Sequence, residues 1–366
     1  MLTIIIKKNI SSYCAEIMNT SIRTLACSVA LASSFAAHAA DSSSITSEIQ
    51  ALKQRIAELE ARQSQPAVST ASGASWTDRV TLSGQAEFLA THSELESDSE
   101  NDLDVDNVEL TIDAQINELI SLSTTLKYED AAEGEDDFFV DEAIAVIAKE
   151  GNPFSLTVGK TGIPFGVIES STWTDPLTDD FTDNTDDLAM LSFNQGGFSS
   201  DLYIFKGDQS GDDHVDNAGL NLGYAFENGL TLGAGYLNKI GNTEAFDQPG
   251  SQSAWRLNAA LELGELGFSA EWIQTDSFDS LGGDKPSVWH VGTHYNTAVF
   301  GAAGTLALGY SESDDASGID LAEKRLAASI SRELGSNAEL IAEYVHEEDY
   351  ASESVDTLNL VLATYF

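Results

Sequence analysis

The segment WHVGTH sets His290 and His294 four residues apart, a spacing that would make a metal pair on a helix. On a strand the two rings share a face but stand ~13 Å apart at ~3.3 Å per residue, too far for one ion with ~2 Å bonds. The residues around them alternate as a strand does, so no metal is expected there. The remaining histidines after the first forty residues, His92, His214 and His346, are scattered. No H-E-x-x-H, G-x-S-x-G or phosphate-binding glycine loop occurs. Neither a catalytic residue nor a cofactor is expected.

What the chain offers is charge. The run DDFTDNTDD holds Asp179, Asp180, Asp183, Asp186 and Asp187, follows Glu169 and Asp175, and contains no base. Elsewhere Glu109, Asp113, Lys127, Arg256 and Arg325 occupy alternate positions of extended segments, as do Arg79, Glu262, Glu271, Glu339 and Glu343. Such groups steer ions; they break no bonds. The formal net charge is −43, which repels nucleic acid.

The elements that carry these charges follow from the period. From Arg79 onward it is two: in VDNVELTIDAQIN, Val108, Leu110, Ile112, Ala114 and Ile116 share one face, and Asn107, Glu109, Thr111, Asp113 and Gln115 the other. About sixteen such segments can be read, ending on LNLVLATYF. Their connections alternate long and short. The long ones, taken as 93–107, 129–137, 161–187, 206–216, 241–253, 275–287, 311–320 and 346–354, carry 37 acidic residues against two lysines, Lys206 and Lys285. No stretch after residue 40 approaches the ~18 apolar residues of a membrane helix. Alternating strands with long loops on one rim and tight turns on the other mark an all-β, transmembrane, antiparallel up-and-down barrel in the outer membrane. Prolines in loops and at strand starts agree with it. So do aromatics at strand ends: Phe154, Phe198, Phe268, Phe300 and Phe366 at the periplasmic end, Tyr128, Tyr236, Trp255, Trp289, Tyr310 and Tyr344 at the outer end. A soluble β-sandwich would also alternate, but its loops need not alternate in length.

Residues 1–39 read as a secretory signal, with Ala37-His38-Ala39 as the cleavage pattern and Met18 as an alternative start. Both cysteines, Cys14 and Cys27, fall within it, which excludes disulfides from the mature chain. Over 40–63, Ile45, Ile49, Leu52, Ile56 and Leu59 alternate spacings of four and three, the seam of a short periplasmic coiled coil that wants partner helices. Residues 64–78 are a linker of small residues, and 79–366 the barrel. The last strand faces lipid with Leu358, Leu360, Leu362 and Phe366, closes on the first strand, and ends on an aromatic that resembles the signal read by the barrel assembly machinery.

A barrel of this size leaves an aqueous channel. Its longest loop reads VGKTGIPFGVIESSTWTDPLTDDFTDNTDD, and the GK-x3-PFG stretch at Gly159 to Gly166, the Glu169-Ser170 pair and the DPLT at Asp175 to Thr178 resemble the LbtU family of siderophore porins. The resemblance covers the coiled coil and the whole barrel. It implies a plug-less barrel taking part in ferric siderophore uptake, with this third loop folded inward as in diffusion porins. The constriction would then draw on Glu169, Asp175, Asp179, Asp180 and Asp183, and the path on Glu109, Asp113, Lys127, Arg256 and Arg325. Ferric siderophores of the carboxylate type tend to be anionic, which this acidity opposes; the inward charges predict cation preference. A general diffusion porin with a trimerising coiled coil, similar to the DcaP-like porins, is the alternative reading. The acidic loops would also bridge divalent cations to lipopolysaccharide, or simply be solvated. A hydrolytic barrel or a cell-wall tether are contrasting classes with fewer supporting residues.

Overall fold

The computed structural model describes residues 76–95, 98–129, 137–166, 170–207, 215–242, 252–319 and 321–366. The signal, the coiled coil and nearly all of the linker read from the sequence lie outside them.

The period-two segments form sixteen antiparallel strands: β1 (Val80–Leu95), β2 (Asp98–Gln115), β3 (Ile120–Glu129), β4 (Asp137–Ala148), β5 (Phe154–Gly162), β6 (Thr185–Gln195), β7 (Phe198–Phe205), β8 (Asn217–Ala225), β9 (Leu230–Leu237), β10 (Ala254–Leu263), β11 (Leu266–Thr275), β12 (Ser287–Val299), β13 (Ala302–Asp314), β14 (Lys324–Glu333), β15 (Ala338–Glu348) and β16 (Ser354–Tyr365). Each pairs with the next, and β16 returns to β1, so the sheet closes into a barrel without an edge. Among the described residues no helix is long and apolar enough to cross a membrane, a criterion that says nothing of strands.

Alternation assigns the faces. Val108, Leu358 and Leu360 are exposed on the outside, whereas Asn107, Glu109, Thr111, Asn359 and Val361 are buried on the inside. A continuous apolar exterior of this kind is removed from water only by lipid. The two aromatic girdles stand as read: Phe154, Phe198, Phe268 and Phe300 point outward at one rim, while Tyr236 packs tilted against Trp255 with centroids 4.7 Å apart and Trp289 against Tyr310 at 5.3 Å at the other. Phe366 extends the seam by one residue. Its N–H donates to the Gly84 carbonyl at 3.1 Å, its carbonyl accepts the Gly84 N–H at 3.2 Å, and its ring, 70% exposed, lies where a Cβ on Gly84 would stand.

Two expectations need correction. The stretch 93–107 is not a loop: β1 and β2 continue in register up to Leu95 opposite Asp98, because the acids at 98, 100, 102 and 104 alternate with Ser99, Asn101, Leu103 and Val105 and so preserve the strand period. A bulge beside Glu87 takes up the extra residue. Arg79 does not stand on a strand face. It ends a 3-10 turn, Trp76–Arg79, and its guanidinium donates to the Ile116 carbonyl at 3.3 Å.

Candidate functional site: the loop inside the barrel

The connection from β5 to β6, residues 163–184 and here called loop 3, folds into the lumen. Its local chemistry explains the turn inward. Gly166 has φ +83°, and a Cβ there would overlap Thr182, so only glycine lets the outgoing and returning limbs touch. Pro176 opens a one-turn helix, α1 (Leu177–Asp180), which the Phe181 N–H closes onto the Leu177 carbonyl at 3.0 Å. The tip braces itself, with the hydroxyls of Ser170 and Thr172 both donating to the Thr174 carbonyl, at 3.1 and 3.0 Å.

Loop 3 is amphipathic, and the barrel wall answers it. Ile163, Phe165, Leu177 and Phe181 are buried against inward side chains of β6 to β12, among them Leu188, Tyr203, Phe205, Leu237, Ile273 and Val288. At ~1.5–3 kcal/mol for each large apolar side chain, this packing is the main force that docks the loop. Two outer loops join the same cluster through Ile240 and Phe278, with Leu281, Ile319 and Leu321 packed on it. One side of the lumen therefore has an apolar core of its own.

Polar anchors fix the rest. At the tip, the N–H groups of Trp173 and Thr174 donate to the two carboxylate oxygens of Glu343 on β15, at 2.7 and 2.9 Å, and the Thr174 hydroxyl donates to it as well. The Trp173 indole N–H donates to Glu87 on β1 at 3.3 Å. On the return limb the Leu177 N–H donates to the Ser311 hydroxyl on β13 at 3.3 Å. Arg325 on β14 holds the Asp175 carbonyl at 2.7 Å, the Asp180 carboxylate at 2.8 Å and Glu347 at 2.7 Å. Near the start of the loop the Asn221 amide of β8 donates to the Pro164 carbonyl. Loop 3 thus spans the lumen from its roots to β15 and β1 and comes back along β14 and β13.

The residues singled out in the sequence divide accordingly. Asp175, Asp179 and Asp180 sit together on the return limb with Asp183, crowded enough to change their chemistry. Burial first, and then Asp175, Asp183 and Asp180, push the Asp179 carboxyl up to about 9. Burial also raises Asp175, and Asp180 despite its pairing with Arg325. Glu169 lies outside the described residues. Glu109 and Lys127 stand opposite each other on β2 and β3, with Asp113 farther along the same inward face of β2. Arg325 is largely filled by the loop's own groups. Arg256 lies 3.4 Å from Glu271 in a pair that is 8% and 1% exposed, behind the loop on the apolar side of the lumen. Sequence reading missed Trp173, Glu87 and Ser311 and assigned Glu343 no more than a wet face. An inward acid is visible from the period, but its partner on a distant loop is not.

A model of the family described as Gram-negative porin matches residues 26–351. A UPF0422 protein of Coxiella burnetii is 23% identical over 309 residues, which cover 76% of this chain and 66% of that relative. Among solved structures, OmpF of Salmonella typhi in complex with daunomycin is similar with a TM-score of 0.59 and 16% identity, over 78% of this chain and 97% of that one. An anion-selective porin from Comamonas acidovorans is similar with a TM-score of 0.58 and 15% identity, over 78% and 99%. At such identities these structures speak for the fold alone. Their solutes and ion preferences belong to them.

Proposed function

Because the chain belongs to the Gram-negative porin family and is a porin-like channel of the outer membrane, we propose that it admits a small solute, of the ferric siderophore class, along one sector of its lumen. The observation that carries the reading is the partition made by loop 3. Its apolar core occupies the side of β6 to β12 and its tip is anchored at β15 and β1, which favours passage along the sector from β2 to β5. Described inward groups of that sector, Glu109, Glu142, Thr111 and Lys127, form a hydrophilic wall with more acids than bases. Gly159 to Gly166, which carries the resemblance to siderophore porins, spans the end of β5 and the entry of loop 3.

Arg256 and Arg325 stand behind or against the loop, and this favours a second reading: a cation-preferring diffusion porin without a role in iron. The two separate in one experiment. Loss of the protein under iron starvation should slow uptake of a labelled ferric siderophore; unchanged uptake with reduced small-cation permeability favours the second reading. We further propose that residues 40–63 assemble the channel as a trimer. Deleting 41–63 should abolish trimers and keep single-barrel conductance, and detachment of the envelope would instead mean a tether.

A further inference from the structure

We infer that the lumen wall where β1 meets β2 holds a binding site for the cationic N–H group of a solute, a primary ammonium above all, built from Glu87 and Asn107. The inference rests on the channel reading above and names a solute chemistry for it. The two residues stand directly opposite each other on the inward face, at the edge of the sector favoured for passage. Both are more than nine-tenths buried, at 4% and 8% exposure. The Oε1 of Glu87 and the Oδ1 of Asn107 have no hydrogen-bond partner.

Each of these oxygens is oriented by a bond at the other end of its own side chain. The Trp173 indole N–H occupies the Oε2 of Glu87 at 3.3 Å, and the Nδ2 of Asn107 donates to Glu109 at 3.2 Å, which turns the amide oxygen away from that carboxylate. The bulge between Glu87 and Phe88 leaves Asp106 as the extra residue and adds an acid to the same stretch. The nearest base on the inward face, Lys127, stands one step along, opposite Glu109. The pair therefore presents two acceptors and a negative charge. A neutral hydroxyl would meet one oxygen and leave the charge of Glu87 unanswered, and an anion would be repelled. Calcium takes about six to eight oxygens, more than this pair offers, and among the described residues no group of three His, Cys, Asp or Glu is placed to hold a metal ion. An ammonium carries three donors, enough for both acceptors, and its charge strengthens each bond.

Butylammonium and tetramethylammonium test this, because they share one formula and one charge and only the first carries N–H groups. Calorimetric titration of the purified full-length protein in detergent should show saturable binding of butylammonium chloride, and none of tetramethylammonium chloride over the same range. Asn107→Leu should weaken that binding ~10-fold or more, the worth of one hydrogen bond to a charged group, and Asn107→Ser, too short to reach the same place but still polar, should do likewise. E87Q should weaken it further. E339Q removes an equal charge two strands away in the same row, through Ala363, and should hardly change it. Each variant is first shown to keep its heat-modifiable mobility on gels. In planar bilayers the same order should appear as block of potassium current by butylammonium. Equal binding of the two ammonium ions, or unchanged binding in N107L and N107S, would mean that the acidity of the lumen alone is at work and would overturn the inference. Displacement of butylammonium by equimolar calcium would overturn it as well. A barrel that binds butylammonium and passes no current would instead defeat the channel reading and leave the site standing.

Discussion

Replacing Arg256 by methionine should destabilise the barrel and leave its ion preference unchanged. The pair with Glu271 has Nε to Oε1 at 3.4 Å with both side chains nearly inaccessible, and the guanidinium is otherwise held by one bond from Nη2 to Asn258 at 2.7 Å. Removing one partner of a buried pair costs ~3–5 kcal/mol, chiefly because the other charge stays behind without compensation. The Nη1 of Arg256 has no hydrogen-bond partner and the Nε contact with Glu271 is long, so the lower end, about 3 kcal/mol, applies. Removing both charges is different: R256M with E271L should restore most of the loss, since a buried pair replaced by apolar groups of similar volume is often neutral or better. Urea unfolding of the barrel in lipid vesicles, followed by tryptophan fluorescence, gives the stabilities, and the reversal potential gives the selectivity. A reversal potential that moves toward stronger cation preference in R256M would refute the reasoning, because it would put Arg256 in the path of the solute. So would single and double variants of equal stability.

Other consequences are as direct. Phe181→Ala removes a fully buried ring from the lumenal core and should cost loop docking ~3–5 kcal/mol. The loss should appear as noisier single-channel current with little change in barrel unfolding. Asp179 gives a pH dependence whose sign can be worked out: its pKa rises from 3.8 when free to about 9 when docked, so the docked state favours the proton. Its contribution to docking is then full at acid pH and is lost as pH rises between those two values. Single-channel current noise from loop 3 should increase through that window and lose this dependence in D179N; a flat profile in the parent would count against it. Deleting Phe366 removes two backbone hydrogen bonds at the seam, about 1–3 kcal/mol together at ~0.5–1.5 each. We expect slower appearance of the heat-modifiable barrel on gels with unaltered conductance of what assembles, and Gly84→Val, which displaces the Phe366 ring, should do the same more weakly.

The barrel was legible because period two is a strong constraint: a one-residue slip would turn Leu358 and Leu360 into the lumen and Asn359 into lipid. The period tells which side a residue faces, not what else lies on that side, and for that reason Arg256 and Arg325 read as solute-facing although the loop covers them. A signal for the loop's docking place was nonetheless present. Where β7 ends in LYIF, outward Leu202 and Ile204 are interleaved with inward Tyr203 and Phe205, and the wet face stops being wet. Leu237 on β9, Ile273 on β11 and Val288 on β12 break the alternation in the same way near their outer ends. An inward apolar residue in a water-filled barrel has no reason to persist unless something apolar packs against it. The segment able to do so is loop 3, whose Ile163, Phe165, Leu177 and Phe181 are spaced among its acids. Seen this way, the acids of DDFTDNTDD are the polar half of an amphipathic loop before they are a field at the pore mouth. Their effect on permeating ions depends on where the apolar half holds them.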